Sequence, residues 1–214
     1  MPKKKVDEKK GWIRIFPEFN PVRVKYKDIF DMKQFYEDLH EWTLEYGWKD
    51  YEEDLDRYET YYGERIAQGG AKELWLIWRL QKTPAGVPTI AGKSSLTYYL
   101  DIYFHCIGLT TAEVVKEGRK MSVNKGEIEI TIETFLEKNY ETGFDQSSML
   151  KPFKDLFSKR LYHKVLEQRK KELYQETYVF QNWIKQWFKL KRYQPYEETK
   201  GFFTSKAWPS HLRE

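Results

Sequence analysis

The stretch Leu96-Thr97-Tyr98-Tyr99-Leu100-Asp101-Ile102-Tyr103-Phe104-His105-Cys106-Ile107-Gly108 decides the fold class. Its side chains alternate. Tyr98, Leu100, Ile102, Phe104 and Cys106 point one way, and Tyr99, Asp101, Tyr103 and His105 point the other. A sustained period of two is a β-strand, here with one apolar face and one mixed face.

Upstream, Lys72–Lys82 alternates in the same way. Leu74, Leu76, Trp78 and Leu80 face one side; Trp75, Ile77 and Arg79 face the other. That pattern predicts a central strand buried on both faces. Gln68-Gly69-Gly70-Ala71 is a hairpin turn that joins it to a strand over Tyr58–Ala67. Residues 83–95 read as a loop rich in Pro and Gly. Downstream, Ala112–Lys116 and Met121–Val123 read as short strands turning at Glu117-Gly118, and Asn124-Lys125-Gly126 as a further tight turn. In Glu127–Glu137, Ile128, Ile130, Ile132 and Leu136 face inward, while Glu127, Glu129, Glu133 and Glu137 form an outward acidic row.

Towards the N-terminus, residues 11–27 predict two short strands separated by Pro17 and Pro21. Residues 29–46 predict a helix. Asp31 caps it, Phe35, Leu39, Trp42 and Tyr46 recur at helical spacing, and Gly47 stops it. After Gly143 the period becomes helical. A first helix is expected over 147–160, with Met149, Phe153, Leu156 and Phe157 inward. A longer one is expected over 161–190, where Leu166, Leu173, Thr177, Phe180, Ile184 and Trp187 make a continuous apolar stripe. Together these give an α+β fold: an antiparallel sheet of about six strands, one N-terminal helix and a two-helix C-terminal region. Residues 1–145 form the sheet domain with a basic N-terminal tail. Residues 146–192 form a helical region packed on that domain or projecting from it. Residues 193–214 form an aromatic tail.

Charge is sorted along this chain. Residues 1–28 carry nine Lys/Arg against four acids, and residues 37–64 carry eleven acids against Lys49 and Arg57. Residues 127–145 carry six acids against Lys138, and residues 150–192 carry twelve Lys/Arg against four acids. The net +4 hides this polarity, and polarised surfaces steer and orient partners. Eight Trp and sixteen Tyr suit either an aromatic core or an interface. With 17% aromatic residues the chain is globular rather than disordered. Abundant Lys, Glu, Tyr and Ile point to a thermophile or archaeal setting, and the chain dimly resembles uncharacterised archaeal or viral α+β proteins, which implies no activity. Cys106 is the single cysteine, so an internal disulfide framework and a Cys-based zinc site are both excluded. Its solitude fits a reducing compartment, the cytoplasm or the interior of a particle, and not a secreted protein. No apolar run approaches the roughly 18 residues of a membrane span. Pro2-Lys3-Lys4-Lys5-Val6 is similar to a nuclear-import signal and reads as a solvated tail.

Motifs for chemistry fall short. Gly92-Lys93-Ser94 lacks the phosphate-loop spacing, because Gly86 stands one position too far away, and it leads into a strand. Glu37 and His40 give half of a carboxylate di-metal pair with no second half. Asp101 cannot orient His105 directly, since residues four apart on a strand stand about 13 Å apart. No metal ligands, cofactor or catalytic residues are expected.

The basic C-terminal segment reads as an interface or nucleic-acid surface. Its candidates are Lys159, Arg160, Lys164, Arg169, Lys170, Lys171, Lys189, Lys191 and Arg192, with Tyr193, Phe202, Phe203 and Trp208 as aromatic anchors. The complementary acidic surface is Glu52, Glu53, Asp54 and Asp56 together with Glu127, Glu129, Glu133 and Glu137. The leading expectation is a non-catalytic structural or interaction protein. It would be a subunit of a larger assembly (a virion, a tail-like or a ribonucleoprotein particle) with protein partners or further copies of itself. A nucleic-acid-binding accessory protein is the alternative, and an enzyme of unknown class the third.

Overall fold

The structure, a computed structural model, describes residues 12–51, 59–90, 92–116, 119–146, 152 and 162–190. In chain order the elements are β1 (Trp12–Arg14), β2 (Val22–Phe30), α1 (Met32–Glu45), β3 (Lys49–Asp50), β4 (Glu59–Ile66), β5 (Lys72–Lys82), β6 (Thr89–Ile90), β7 (Lys93–Ser94), β8 (Thr97–Lys116), β9 (Arg119–Glu137), α2 (Asn139–Gln146) and α3 (His163–Trp187). The fold is a mixed α+β one built on an antiparallel sheet.

β9, β8 and β5 are neighbours at the centre of a seven-stranded sheet. Each outer side is divided between two shorter strands. β1 and β2 follow one another along β9, and β3 and β4 along β5. β6 and β7 pair separately as a small hairpin inside the expected loop.

Seven strands stand where about six were expected: the short β3 is added along β5, while the long ribbon of β8 and β9 joins stretches read as separate strands. β8 does not end at Gly108. A bulge between Ile107 and Thr110 absorbs the glycine at φ +64, and pairing resumes from Thr110. Asn124-Lys125-Gly126 is therefore no turn: Asn124 and Lys125 stand opposite Thr111 and Thr110. Gly126 marks a close backbone approach, since a Cβ there would lie 2.9 Å from Leu109 Cδ2 and 3.0 Å from Ile107 O.

α1 starts three residues later than expected, because β2 runs on to Phe30, and Asp31 Oδ1 accepts from the Gln34 N–H at 3.1 Å as its cap. α2 starts directly after β9, in a segment read as part of the sheet domain. Apart from residue 152, the helix expected over 147–160 lies outside the described residues, as does the 193–214 tail.

α3 shares one core with the sheet. Leu173, Phe180, Ile184 and Phe188 cluster with Val22 and Val24 of β2, with Phe35 and Trp42 of α1, and with Leu100 and Ile132 of the central strands. Phe180 packs at 4.5 Å from Trp42, and Phe188 at 4.6 Å from Tyr26. Polar tips on this seam are paired. Trp187 Nε1 donates to Asp38, Trp48 Nε1 donates to Glu176, and Lys82 Nζ reaches the same Glu176 at 2.7 Å. A crevice between Trp42, Trp48 and Phe180 has no room for a water molecule, so it is a packing seam and not a ligand site.

β5 is consequently not buried on both faces. Leu76, Trp78 and Leu80 lie under the helices and are buried, while Trp75, Ile77 and Arg79 stay half-buried.

Candidate functional site

Opposite the helices, the strands present a second face that no described helix packs on. Strand alternation and register fix what stands there. β8 contributes Tyr99, Asp101, Tyr103 and His105, as the sequence predicts. β9 adds Glu127, Glu129, Glu133, Phe135 and Glu137. β5 adds Glu73, Trp75, Ile77 and Arg79 opposite β8. Trp12 and Arg14 of β1 complete one corner, opposite Glu137 and Phe135.

The centre of this face is ionic. Asp101 and Glu133 stand directly opposite each other and are 6% and 7% exposed. Arg79 Nε lies 3.6 Å from Asp101 Oδ2 and Arg14 Nη1 lies 3.4 Å from Glu133 Oε2, so two like charges sit between two cations. Tyr103 donates to Asp101 Oδ2 at 3.2 Å. Burial pushes the Asp101 carboxyl up to about 6, against the pull of Arg79 and Tyr103, and Glu133 adds to the rise. Burial also raises the Tyr103 hydroxyl, with Asp101 adding to it.

Aromatic groups surround that centre. Trp12 stacks on Tyr99 at 4.3 Å, and both donate to Glu137, at 3.0 and 2.7 Å. The Arg14 guanidinium lies 4.9 Å above the Phe135 ring. His105 stacks on Trp75 at 5.4 Å and pairs with Glu73 at 2.9 Å. His105 thus has a carboxylate partner on β5 rather than Asp101 on its own strand.

The acidic row is engaged by this chain's own cations. Lys25 reaches Glu127 at 2.6 Å and Arg23 reaches Glu129 at 3.1 Å, because β2 pairs along β9. Its hydrogen bond to Lys25 holds the Glu127 carboxyl below its usual range. The sorting of positive charge into residues 1–28 and negative charge into 127–145 is in good part a strand-pairing pattern. Glu52, Glu53, Asp54 and Asp56 lie outside the described residues.

On α3, Arg169 pairs with Glu172 at 2.7 Å and Lys170 with Glu167 at 2.6 Å. Lys164, Lys171 and Lys189 are exposed. The interleaved aromatics mostly turn inward: Trp183, Trp187 and Phe188 pack against Phe35 and its neighbours. Tyr174 stays 44% exposed, stacked on Phe16. Lys159, Arg160, Lys191, Arg192, Tyr193, Phe202, Phe203 and Trp208 lie outside the described residues.

Gly92-Lys93-Ser94 closes the β6–β7 hairpin and opens no helix. Among the described residues no group of three or more His, Cys, Asp or Glu could hold a metal ion, and no helix is long and apolar enough to cross a membrane. Cys106 is buried on the core face, where burial pushes its thiol up to about 12.

Sequence reasoning missed Trp12, Arg14, Glu73, Trp75 and Arg79 as members of this face. Alternation places Trp75 and Arg79 on one side of their strand, but only the register brings them beside His105 and Asp101. Fold and face together define an α+β protein with its described helices on one side of the sheet and an ionic–aromatic face on the other. Comparison with protein-family models, curated proteins and solved structures finds no match.

Proposed function

We propose that this chain is a non-catalytic interaction protein, a subunit of a larger assembly that binds a protein partner through the sheet face on which no described helix packs. One observation carries the reading: Trp12, Trp75, Tyr103, Arg14 and Arg79, each half-buried, are gathered there around a buried pair of carboxylates. Trp, Tyr and Arg are the residue types that concentrate binding energy at protein interfaces. Ionised Asp101 also costs the free chain stability, a feature more useful for recognition than for folding.

The test compares a tagged wild-type chain with Trp75→Glu, checked for unchanged circular dichroism. A partner held stoichiometrically by the wild type and lost by the variant supports the reading. Equal recovery with both chains would refute it.

A second reading rests on α3. Lys164 and Lys171 are exposed and lie two turns apart on one helix line. Such a line fits a phosphate backbone, and binding through it would weaken steeply with salt. Trp183 and Trp187 turn inward and are not available for base stacking, while Tyr174 stays exposed.

A further inference from the structure

The two sides of the sheet are unlike as pairing edges. On β2, Pro21 precedes the strand, and Arg23, Lys25 and Lys27 alternate along it. Proline and repeated cations are the devices that stop a sheet edge from pairing with another copy.

β4 has none of these. Its inner side pairs with β5, and its outer side has no strand partner among the described residues. After an irregularity between Glu59 and Tyr61 the strand runs regularly through Ile66, with no proline and no lysine. Tyr61, Tyr62 and Ile66 are 37%, 56% and 63% exposed. An exposed strand of this length, regular from Tyr61 and bearing exposed tyrosines and an isoleucine, is a template for strand addition.

The sequence of that strand selects the occupant. Two antiparallel copies related by a two-fold axis through the sheet keep their faces, so residues of equal parity meet. Centring on Glu64 sets Glu64 against Glu64, a like-charge pair. Centring on Tyr62 drives Arg65 into the irregular segment at Glu59–Tyr61. Centring on Gly63 keeps the pairs of residues 61–65 within the regular strand, and only Ile66 meets the irregular segment, at Thr60. It sets Arg65 against Tyr61 of the second copy and Tyr62 against Glu64 of the second copy, and no like charges meet. Arg65 over a tyrosine ring adds a cation–π contact on each side of the axis.

We propose that two copies of this chain join their β4 strands antiparallel about Gly63, making one continuous sheet across a dimer. Tyr61, Gly63 and Arg65 stand opposite Ile77, Trp75 and Glu73, at the margin of the second sheet face, whereas Tyr62 stands opposite Leu76 on the helix side, so variants at Tyr62 test the dimer without touching that face.

The experiment is sedimentation equilibrium of the wild type and of two variants at the same exposed position, Tyr62→Glu and Tyr62→Lys. Glutamate at 62 would oppose Glu64 of the second copy, and lysine would pair with it. The expected result is a wild-type dimer whose dissociation constant rises about tenfold or more in Tyr62→Glu and is kept or tightened in Tyr62→Lys. Matching circular dichroism and melting of the two variants excludes misfolding as the cause. A monomer at every concentration, or a dimer indifferent to the sign of charge at 62, would overturn the proposal. Because Trp75 stands opposite Gly63, the oligomeric state of Trp75→Glu is measured as well, so that loss of a partner and loss of the dimer are told apart.

Discussion

Replacing Asp101 by Asn should stabilise this protein at neutral pH and do nothing for it in acid. Asp101 is buried opposite Glu133, and its carboxyl rises from 3.8 to about 6 even with Arg79, Arg14 and Tyr103 facing it. A raised value means that the folded state holds the proton more tightly than the unfolded chain. The stabilising term is therefore complete below pH 4 and is lost as pH rises through 6. Two pKa units correspond to about 3 kcal/mol of penalty on the ionised form above about pH 7. Asparagine keeps the shape and can still accept from Tyr103, but carries no charge. The difference between Asp101→Asn and wild type in urea unfolding should grow from near zero at about pH 4 to as much as about 3 kcal/mol at about pH 7.5. Because both proteins share every other titrating group, the difference isolates this carboxyl. A variant less stable than wild type at neutral pH would refute the reasoning. It would mean that attraction to Arg79 outweighs burial.

Phe180 is fully buried between Trp42 and the sheet, so Phe180→Ala should cost about 3–5 kcal/mol in the same unfolding assay. Gly126→Ala should cost about 1–3 kcal/mol, because its new methyl meets the Ile107 and Gly108 carbonyls; an unchanged midpoint would show that the bulge can give way. Cys106 is buried with its thiol pushed up to about 12, so a thiol reagent at neutral pH should label it only on unfolding, at the unfolding rate. Lys25→Glu should lower the melting temperature by opposing Glu127, and the effect should shrink as salt is raised.

Local pattern made much of this architecture legible. The alternation in Leu96–Gly108 and Lys72–Lys82, the Asp31 cap and the stripe from Leu173 to Trp187 each specify an element through a period of side chains. What pattern could not show was register. Gly126 reads as a turn beside Asn124 and Lys125, until the bulge at Gly108 on the opposite strand explains why no side chain fits there. Trp75, Ile77 and Arg79 read as buried because they are apolar or aliphatic along much of their length, yet both large helices pack on the other face. For the site, alternation placed Asp101 beside Tyr103 and His105 correctly. Arg14 and Arg79 come from far along the chain, and only strand pairing delivers them. The sorted charge read as a docking device is partly internal: Arg23 and Lys25 already neutralise Glu129 and Glu127.

The most direct test of the central claim is the mass of the purified chain by light scattering after chromatography. It should be measured at low and high salt, with the ultraviolet absorbance ratio recorded across the peak. An assembly protein predicts a discrete particle heavier than the 26.0 kDa chain, with the absorbance of protein alone, loosening as salt rises. A 26.0 kDa monomer that carries nucleic acid at low salt and sheds it at high salt would contradict the account and give first place to the basic face of α3.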